Sequence, residues 1–237
     1  MHMFAAGDGF HGGHGIVGAH IPLATGMGFA SKFQGKDDVT LCFFGEGALN
    51  QGAFYESLNL ASLWSLPVVF IVENNKYAMG TALERASAVT DLWKKAEGFA
   101  MPGVLLDGMD VAQTWKVIAE AVTRARAEMR PTFVEARCYR FRGHSMSDPA
   151  KYRTSQEVDA FKQVDPIALC KASLIHFEWA TEAECEAWDE AASDAAADAA
   201  SFALESPQPR LEDIGDWVYS NPQTWSPDEA TFAHRRD

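Results

Sequence analysis

Short apolar runs and helical repeats of apolar residues alternate along the middle of the chain. Residues 39–44 and 68–72 are apolar runs without polar alternation, the pattern of strands that are buried on both faces. Between them, Phe54 and Leu58 belong to an apolar series at helical spacing, which predicts an amphipathic helix over 51–64. A strand, a helix and a second strand form a crossover unit, so the two strands should be parallel.

The alternation of strands and helices continues downstream. Residues 103–106 predict a short strand, 111–129 a helix, and 132–139 a strand with β-branched and aromatic content. The apolar face of this helix is predicted to consist of Val111, Trp115, Ile118, Ala119 and Val122. Together the elements predict an α/β fold, in which helices cover both faces of a doubly wound parallel sheet.

The C-terminal part of the chain changes to helical and acidic sequence. We divide the chain into an α/β domain over 1–155, a helical acidic extension of it over 156–206 and a tail over 207–237. Residues 174–208 contain no Lys or Arg, and Asp and Glu accumulate among alanines, which is typical of a solvated helix. We expect aromatic residues to anchor the extension and the tail: Phe177, Trp179, Trp188 and Phe202, then Trp217 and Tyr219.

Candidate chemistry lies where the first two strands end. Gly45-Glu46-Gly47 follows the first strand, and Asn75 follows the second. The carboxyl ends of parallel strands share one edge of the sheet, where open α/β sheets bind ligands. A carboxylate, a side-chain amide and a nearby carbonyl suit Mg²⁺ or Ca²⁺, while glycines and a helix N-terminus accommodate phosphate. The sequence therefore favours a metal-bridged diphosphate at this edge, with a merely tight turn as the alternative.

Two other kinds of site fit parts of the sequence. Gly45 and Gly47 with Glu73 downstream are similar to a dinucleotide fingerprint, although Asn50 replaces its third glycine. A P-loop is excluded, because no Gly-Lys-Ser/Thr follows. The glycine-rich first loop offers nitrogen ligands for zinc, without an accompanying cysteine or acidic pattern, from His2, His11, His14 and His20.

A second polar stretch, residues 140–154, follows the strand predicted over 132–139 and should lie at the same edge of the sheet. Its candidate functional residue is His144, because a histidine beside a diphosphate can donate a hydrogen bond or move a proton at a substrate carbonyl. A surface histidine in a basic loop is the alternative. Arg140, Arg142 and Arg153 are candidates to tie the loop down or to meet an acidic partner.

Composition narrows the class of protein. The 237 residues carry a formal net charge of −13, which argues against nucleic acid and anionic membranes as partners. No apolar run is long enough to span a bilayer. The four cysteines show neither short paired spacing nor a metal-ligand pattern, which favours free thiols in a reducing compartment.

The motifs resemble those of a known family. Residues 45–75, GEGALNQGAFYESLNLASLWSLPVVFIVENN, are similar to the thiamine diphosphate motif in the alpha subunits of 2-oxo acid dehydrogenases. Residues 77–91 and 139–154, YAMGTALERASAVTD and YRFRGHSMSDPAKYRT, resemble the pyruvate branch of that family. The resemblance implies a thiamine diphosphate-binding fold and oxidative decarboxylation of pyruvate with acetyl transfer to a lipoyl group. It also implies a location in the bacterial cytoplasm or, in a eukaryote, the mitochondrial matrix.

The resemblance assigns roles to individual residues. The implied cofactor-binding residues are Gly15, Val17, Gly45, Glu46, Gly47, Ala48, Asn75, Tyr77 and His144. Of these, Glu46, Asn75 and the carbonyl of Tyr77 would bind Mg²⁺, and His144 would also be catalytic. The implied partners are a beta subunit, in a heterotetramer, which supplies the glutamate that activates the cofactor, and a lipoyl-bearing acyltransferase.

Two features depart from the family pattern. Glu46 stands where the pyruvate branch usually has Asp, whereas the branched-chain 2-oxo acid branch can have Glu, which keeps the branched-chain enzyme as an alternative. An acetoin dehydrogenase alpha subunit is a further alternative. Sequence like His2-Met3-Phe4 lies well inside the family's subunit, so we expect an N-terminal part, with a Tyr-Arg pair that contacts the diphosphate, to lie upstream. A catalytically silent binding subunit is therefore the alternative of another class.

Overall fold

The computed structural model describes residues 2–215 and is built around a four-stranded parallel sheet. The strands are β1 (Thr40–Gly45), β2 (Val68–Asn74), β3 (Tyr77–Ala78), β4 (Thr81–Ala82), β5 (Gly103–Asp107) and β6 (Thr132–Arg137). The sheet has the order β1-β2-β6-β5, while β3 and β4 form a separate antiparallel hairpin. Each pair of neighbouring strands in the sheet is parallel, as the sequence predicts.

Helices cover both faces of the sheet, which confirms the predicted α/β class. The helices of the described residues are α1 (His20–Phe33), α2 (Gly52–Leu63), α3 (Leu83–Ala86), α4 (Val111–Glu128), α5 (Ser155–Lys162), α6 (Pro166–His176) and α7 (Glu182–Glu205). On one face, Ile21 of α1 and Phe54 of α2 pack in a buried cluster with Phe70. On the other face, Ala125 of α4 packs with Val134. The sheet is thus the middle of three layers, the arrangement typical of doubly wound folds.

Several helices begin at capping side chains that are evident in the sequence. Asp110 and Thr154 accept hydrogen bonds from backbone N–H groups in the first turns of α4 and α5, at 2.9 and 3.1 Å. Thr181 and Glu184 form a reciprocal capping box at the start of α7. These side chains pair backbone donors that the first helical turn leaves without an intrahelical partner.

Strand β1 differs from the prediction of a strand that is buried on both faces. Cys42 and Phe44 are buried, whereas Leu41 and Phe43 are 41% and 51% exposed. β1 is an edge strand of the described sheet, and α4 packs against β2, β5 and β6. An apolar run without polar alternation predicts the strand correctly, but it does not reveal whether a helix covers each face.

Two other predicted apolar surfaces are also wrong in part. In α4, Val111 and Trp115 are 51% and 75% exposed, and the fully buried positions are Ala121 and Ala125. Small alanines face the sheet because they allow the helix to approach it closely. The aromatic residues that we predicted to anchor the extension are more than half exposed: Phe177, Trp179, Trp188 and Phe202. Trp217 and Tyr219, the predicted anchors of the tail, lie outside the described residues.

The chain separates into two compact units, one up to Trp179 and one from Ala180 onward. The first unit contains the sheet and α1 to α6, and the second contains α7. The predicted division into 1–155, 156–206 and 207–237 stays a proposal. Within residues 2–215, no helix has the length and apolar character that crossing a membrane requires.

Candidate cofactor site at the carboxyl edge of the sheet

The sheet brings together two residues that the sequence predicts to bind a metal. Gly45, the last residue of β1, lies opposite Glu73 in β2. Glu46 follows at once in a 3-10 helix over Glu46–Asn50, and Asn75 follows directly on β2. The backbone N–H of Asn75 donates to Oε2 of Glu46 at 3.4 Å, so the two residues are in contact.

Both side chains retain a buried oxygen that no hydrogen bond satisfies. Glu46 is only 4% exposed, yet its Oε1 has no hydrogen-bond partner, and neither has Oδ1 of Asn75. Burial raises the pKa of the Glu46 carboxyl, although hydrogen bonds from backbone N–H groups and the charge of Arg140 act in the opposite direction. Because buried polar atoms are normally paired in folded proteins, these two oxygens are suited to a bound cation.

Two glycines shape the backbone around this pair. A Cβ on Gly47 would lie 2.7 Å from the Cβ of Ala78, so the 3-10 helix and β3 approach each other more closely than a side chain would permit. A Cβ on Gly45 would meet no atom within 4 Å, so the space beside the end of β1 is open. Ala48, whose amide we expect near a diphosphate, is buried. The backbone is therefore accessible at Gly45 and tightly packed at Gly47.

Tyr77, whose carbonyl is a predicted metal ligand, is anchored through its side chain. Its hydroxyl donates to Oε2 of Glu157 in α5 at 3.1 Å, and Glu157 also accepts from Lys76 and Tyr139. Burial and the Glu157 carboxylate raise the pKa of Tyr77 to about 12, so the hydroxyl remains a donor. Burial opposes the charge on Glu157, but its hydrogen bonds outweigh that effect and lower its pKa. This network ties β3 and the residue before it to α5.

The loop that carries His144 is braced internally by Asp148. One carboxylate oxygen, Oδ2, accepts from the backbone N–H of His144 at 2.7 Å and from the hydroxyl of Tyr152 at 2.8 Å. These hydrogen bonds, with one from the Ala150 N–H, lower the pKa of Asp148. A guanidinium N–H of Arg140 donates to the Met79 carbonyl at 3.2 Å, which ties the loop to the β3–β4 hairpin.

The imidazole of His144 is exposed, and within residues 2–215 no hydrogen bond joins it to Glu46 or Asn75. The structure therefore brings the base of the His144 loop to the carboxyl edge, since Arg140 is close enough to Glu46 to influence its pKa. It does not bring the imidazole into contact with the predicted metal ligands. A role for His144 requires a ligand that extends from the edge of the sheet toward the loop.

The N-terminal loop meets the site through Gly18. Its φ of +82° lies in the left-handed region, and a Cβ there would lie 3.1 Å from the Cγ of Gln51 and 3.7 Å from the Ala48 carbonyl. Gly15 and Val17, the predicted aminopyrimidine contacts, precede this point and are exposed. The loop is thus positioned beside the turn, while these two residues remain accessible to a ligand or a partner.

The histidines of this loop form no recognisable zinc site. The rings of His14 and His20 stack with centroids 5.8 Å apart, and Nε2 of His20 lies 2.7 Å from the Phe43 carbonyl oxygen. Across residues 2–215, no group of three or more His, Cys, Asp and Glu side chains is arranged to hold a metal ion. The ligands predicted around Glu46 are of a different kind, because they combine one carboxylate with an amide and a carbonyl.

Sequence analysis missed the residues that hold the candidates in place. These are Asn74, Glu135, Asp148 and Glu157, which are polar residues paired with the backbone or side chains of the site. A signal existed for Glu135, because a glutamate inside the apolar strand over Thr132–Arg137 is unusual. The other three stand in polar sequence and could not be singled out there.

This arrangement can bind a cation together with a phosphorylated ligand. Glu46 and Asn75 supply hard oxygen ligands, and the open backbone at Gly45 admits an anion near the N-terminus of α2. Arg140 contributes positive charge at the same edge. These features make the carboxyl edge a candidate site for a phosphorylated ligand bound together with a metal ion, at the place where open parallel sheets bind ligands.

Comparison with known proteins gives consistent matches. The profile of the family described as "Dehydrogenase E1 component" matches residues 1–212. The chain is 49% identical over 215 residues to the pyruvate dehydrogenase E1 component subunit alpha of Rhizobium meliloti (strain 1021), covering 90% of this chain and 62% of that protein. It is 42% identical over 219 residues to the subunit of the same name from Rickettsia felis, covering 92% and 67%.

A chloroplast protein matches as well. The alpha-3 subunit of the pyruvate dehydrogenase E1 component from Arabidopsis thaliana is 43% identical over 229 residues, which cover 94% of this chain and 54% of that protein. The chain thus spans between about half and two thirds of the length of these relatives. The matched part includes every candidate site residue described above.

Proposed function

Because the chain belongs to the dehydrogenase E1 component family, we propose that it is the alpha subunit of a thiamine diphosphate-dependent pyruvate dehydrogenase. The observation that supports this most strongly is the pair of buried, unpartnered oxygens on Glu46 and Asn75 at the carboxyl edge of the sheet. The reaction is oxidative decarboxylation of pyruvate, followed by transfer of the acetyl group to a lipoyl carrier.

The residues present fit thiamine diphosphate and Mg²⁺. Glu46 Oε1 and Asn75 Oδ1 each lack a partner, as expected of ligands to a cation, and the carbonyl of Tyr77 would complete the protein's share of the coordination. The backbone at Gly45, Gly47 and Ala48 would hold the diphosphate of the cofactor.

When bound, thiamine diphosphate supplies a nucleophilic carbon and an electron sink for the decarboxylation. The residues of this chain hold and orient the cofactor and compensate its charge. The backbone at Gly15 and Val17 would position the aminopyrimidine end. His144 would donate a hydrogen bond at the reacting centre or move a proton there, with Asp148 fixing its backbone.

The proposal includes partners. A beta subunit, in a heterotetramer with this chain, would provide the glutamate that activates the cofactor, and a lipoyl-bearing acyltransferase would accept the acetyl group. The relatives reported above are named for pyruvate, which favours pyruvate over the branched-chain and acetoin alternatives. Glu46 stands in place of the aspartate of the pyruvate branch, and its longer side chain reaches the N–H of Asn75, beside the other proposed ligand.

The test is carbon dioxide release from pyruvate by this chain co-expressed with the beta subunit of the same host. Release that requires both thiamine diphosphate and Mg²⁺, and that exceeds release from a branched-chain 2-oxo acid, would support the proposal. Faster release from the branched-chain substrate would instead identify the chain as the alpha subunit of a branched-chain 2-oxo acid dehydrogenase. An assembled complex that binds the cofactor but releases nothing from any of these substrates would indicate a silent binding subunit.

A further inference from the structure

One carboxylate in the described chain is completely buried and is hydrogen-bonded to the residue that precedes the candidate ligand Asn75. Glu135 of β6 has no exposed surface. Its Oε1 accepts from the side-chain amide of Asn74 at 2.7 Å and from Nε of Arg137 at 3.0 Å. Its Oε2 accepts from the backbone N–H of Trp93 at 3.0 Å. All of these partners are donors, so the side chain acts only as an acceptor.

The side-chain amide of Asn74 links Glu135 to the turn that follows β2. Its Nδ2 is committed to Glu135, so its Oδ1 faces away and accepts from the backbone N–H of Lys76 at 3.3 Å. The backbone of Asn74 is fixed as well, because its carbonyl accepts from the Cys138 N–H at 3.0 Å. Asn75 lies between the two ends of this hydrogen-bonded turn.

The turn needs such support because its backbone is unfavourable. Lys76 has a φ of +74°, in the left-handed region that side chains other than glycine rarely adopt. Two hydrogen bonds hold it there, one from its N–H to Asn74 Oδ1 and one to its carbonyl from the Leu83 N–H at 3.0 Å. A strained residue of this kind persists where its surroundings fix it, and such residues cluster at ligand sites.

We propose that Glu135 is a positioning residue for the metal-binding side chain of Asn75, acting through Asn74 and the strained turn at Lys76. This inference rests on the proposed function, because it assumes a cation at Glu46 and Asn75. Glu135 touches neither the cation nor the substrate. It fixes which way the Asn74 amide points, and thereby the main chain on both sides of Asn75.

The geometry explains why a carboxylate rather than an amide is required. A glutamine at 135 would keep the shape, but its NH₂ group would face either Trp93 N–H or the donors from Asn74 and Arg137. In the second case the Asn74 amide turns over, and its NH₂ then opposes the N–H of Lys76. Either arrangement leaves a buried donor unpaired.

The experiment measures Mn²⁺ affinity in the presence of thiamine diphosphate, by electron paramagnetic resonance of free Mn²⁺, on the complex with the beta subunit. We expect E135Q to weaken Mn²⁺ binding by about 10- to 100-fold, the usual effect of losing a residue that orients a metal ligand. N74S removes the same connection and should weaken binding to a similar extent. The E135Q/N74S double variant should bind Mn²⁺ no more weakly than the single variant with the lower affinity, because both substitutions act along one chain of hydrogen bonds.

The control is D91N. Asp91 pairs with Arg137 on its exposed side at 2.8 Å, so this variant perturbs the ion pair without touching the connection from Glu135 to Asn74. It should bind Mn²⁺ as the unmodified chain does. If E135Q does not fold, N74S carries the same test.

The outcomes separate this inference from the proposed function. A chain that binds no Mn²⁺ with thiamine diphosphate before any substitution overturns both. An unmodified chain that binds, together with E135Q and N74S proteins that melt at lower temperature but bind equally well, overturns the positioning role alone. Additive losses in the double variant would also contradict it, since independent effects imply separate causes.

Discussion

Two polar regions lie at the same edge of the sheet, and they differ in whether their polar groups have hydrogen-bond partners. At the ends of β1 and β2, Glu46 and Asn75 keep buried oxygens without partners. In the loop over residues 140–154, Asp148 pairs both of its oxygens within the loop, and Tyr152 and Arg140 join the same network. One buried atom of this loop, Nε of Arg153, has no hydrogen-bond partner, although the other guanidinium nitrogens of Arg153 donate to carbonyls of the loop.

The difference indicates which region binds a ligand directly and which region only supports binding. A buried oxygen without a partner costs free energy in the folded protein, so it persists where a ligand offsets the cost. A loop that satisfies its own polar groups holds its shape without a ligand and can present an exposed residue such as His144. We therefore expect substitutions in the first region to affect binding and those in the second to affect turnover.

The largest expected effect is on cofactor binding by E46A. Loss of the carboxylate should weaken binding of thiamine diphosphate with Mg²⁺ by more than about 100-fold, beyond the range for residues that only orient a ligand. Isothermal titration calorimetry on the complex with the beta subunit measures it. The matched control is E73A, which removes an exposed negative charge at the same edge. Equal affinities for E46A and the unmodified chain would exclude Glu46 as a ligand.

A smaller effect is expected on turnover in D148N. The side chain of an asparagine would turn its NH₂ group toward some of the donors from which Asp148 now accepts hydrogen bonds. We expect the backbone of His144 to shift as a result. We expect kcat to fall by roughly tenfold, part of the about 10²- to 10⁴-fold that positioned proton transfer contributes. Affinity for the cofactor should stay the same. D159N, at an exposed residue that is paired with Lys162 in α5, is the control. A loss of cofactor affinity in D148N would contradict the division of roles.

A third prediction concerns stability without cofactor. E46Q should unfold with a free energy about 1 kcal/mol higher than the unmodified chain, as expected when a binding residue is replaced by one that suits the fold better. The raised pKa of Glu46 has the same sign: as the pH rises above the ordinary pKa of a carboxyl, ionisation of Glu46 costs more free energy in the folded protein, where the side chain is buried, than in the unfolded chain. Urea unfolding measures the difference, and a clear loss of stability in E46Q would disprove it.

The smallest effect should be seen at Cys138, which lies between the two regions. Burial, with the charges of Glu73 and Glu46, raises the pKa of Cys138 to about 12, and burial alone raises that of Cys42 to about 12. Both thiols should stay unmodified by iodoacetamide at pH 8 in the native protein and react in urea, as mass spectrometry can show. Native alkylation of Cys138 would mean that the loop opens and does not support itself.

Particular residues show how far sequence analysis could go. The ends of β1 and β2 were predictable because each apolar run stops abruptly, the first at Gly45-Glu46-Gly47 and the second at Glu73-Asn74-Asn75, and such a stop marks the end of a strand. The contact between Glu46 and Asn75 followed from parallel pairing alone. The exposure of Leu41, Phe43 and Trp115 was not predictable, because helical or strand periodicity specifies a face and not what covers it.

The sequence by itself determined the α/β class, the order of the central elements and the pairing of a carboxylate with an amide at one edge. These are local or nearly local properties, set by periodicity, capping residues and the direction of strands. Only the tertiary structure decided that Glu135 of β6 supports the turn after β2, since the hydrogen bond responsible joins Asn74 and Glu135, which are 61 positions apart. Long-range hydrogen bonds leave no periodic trace in a sequence, so they appear only when the chain is folded.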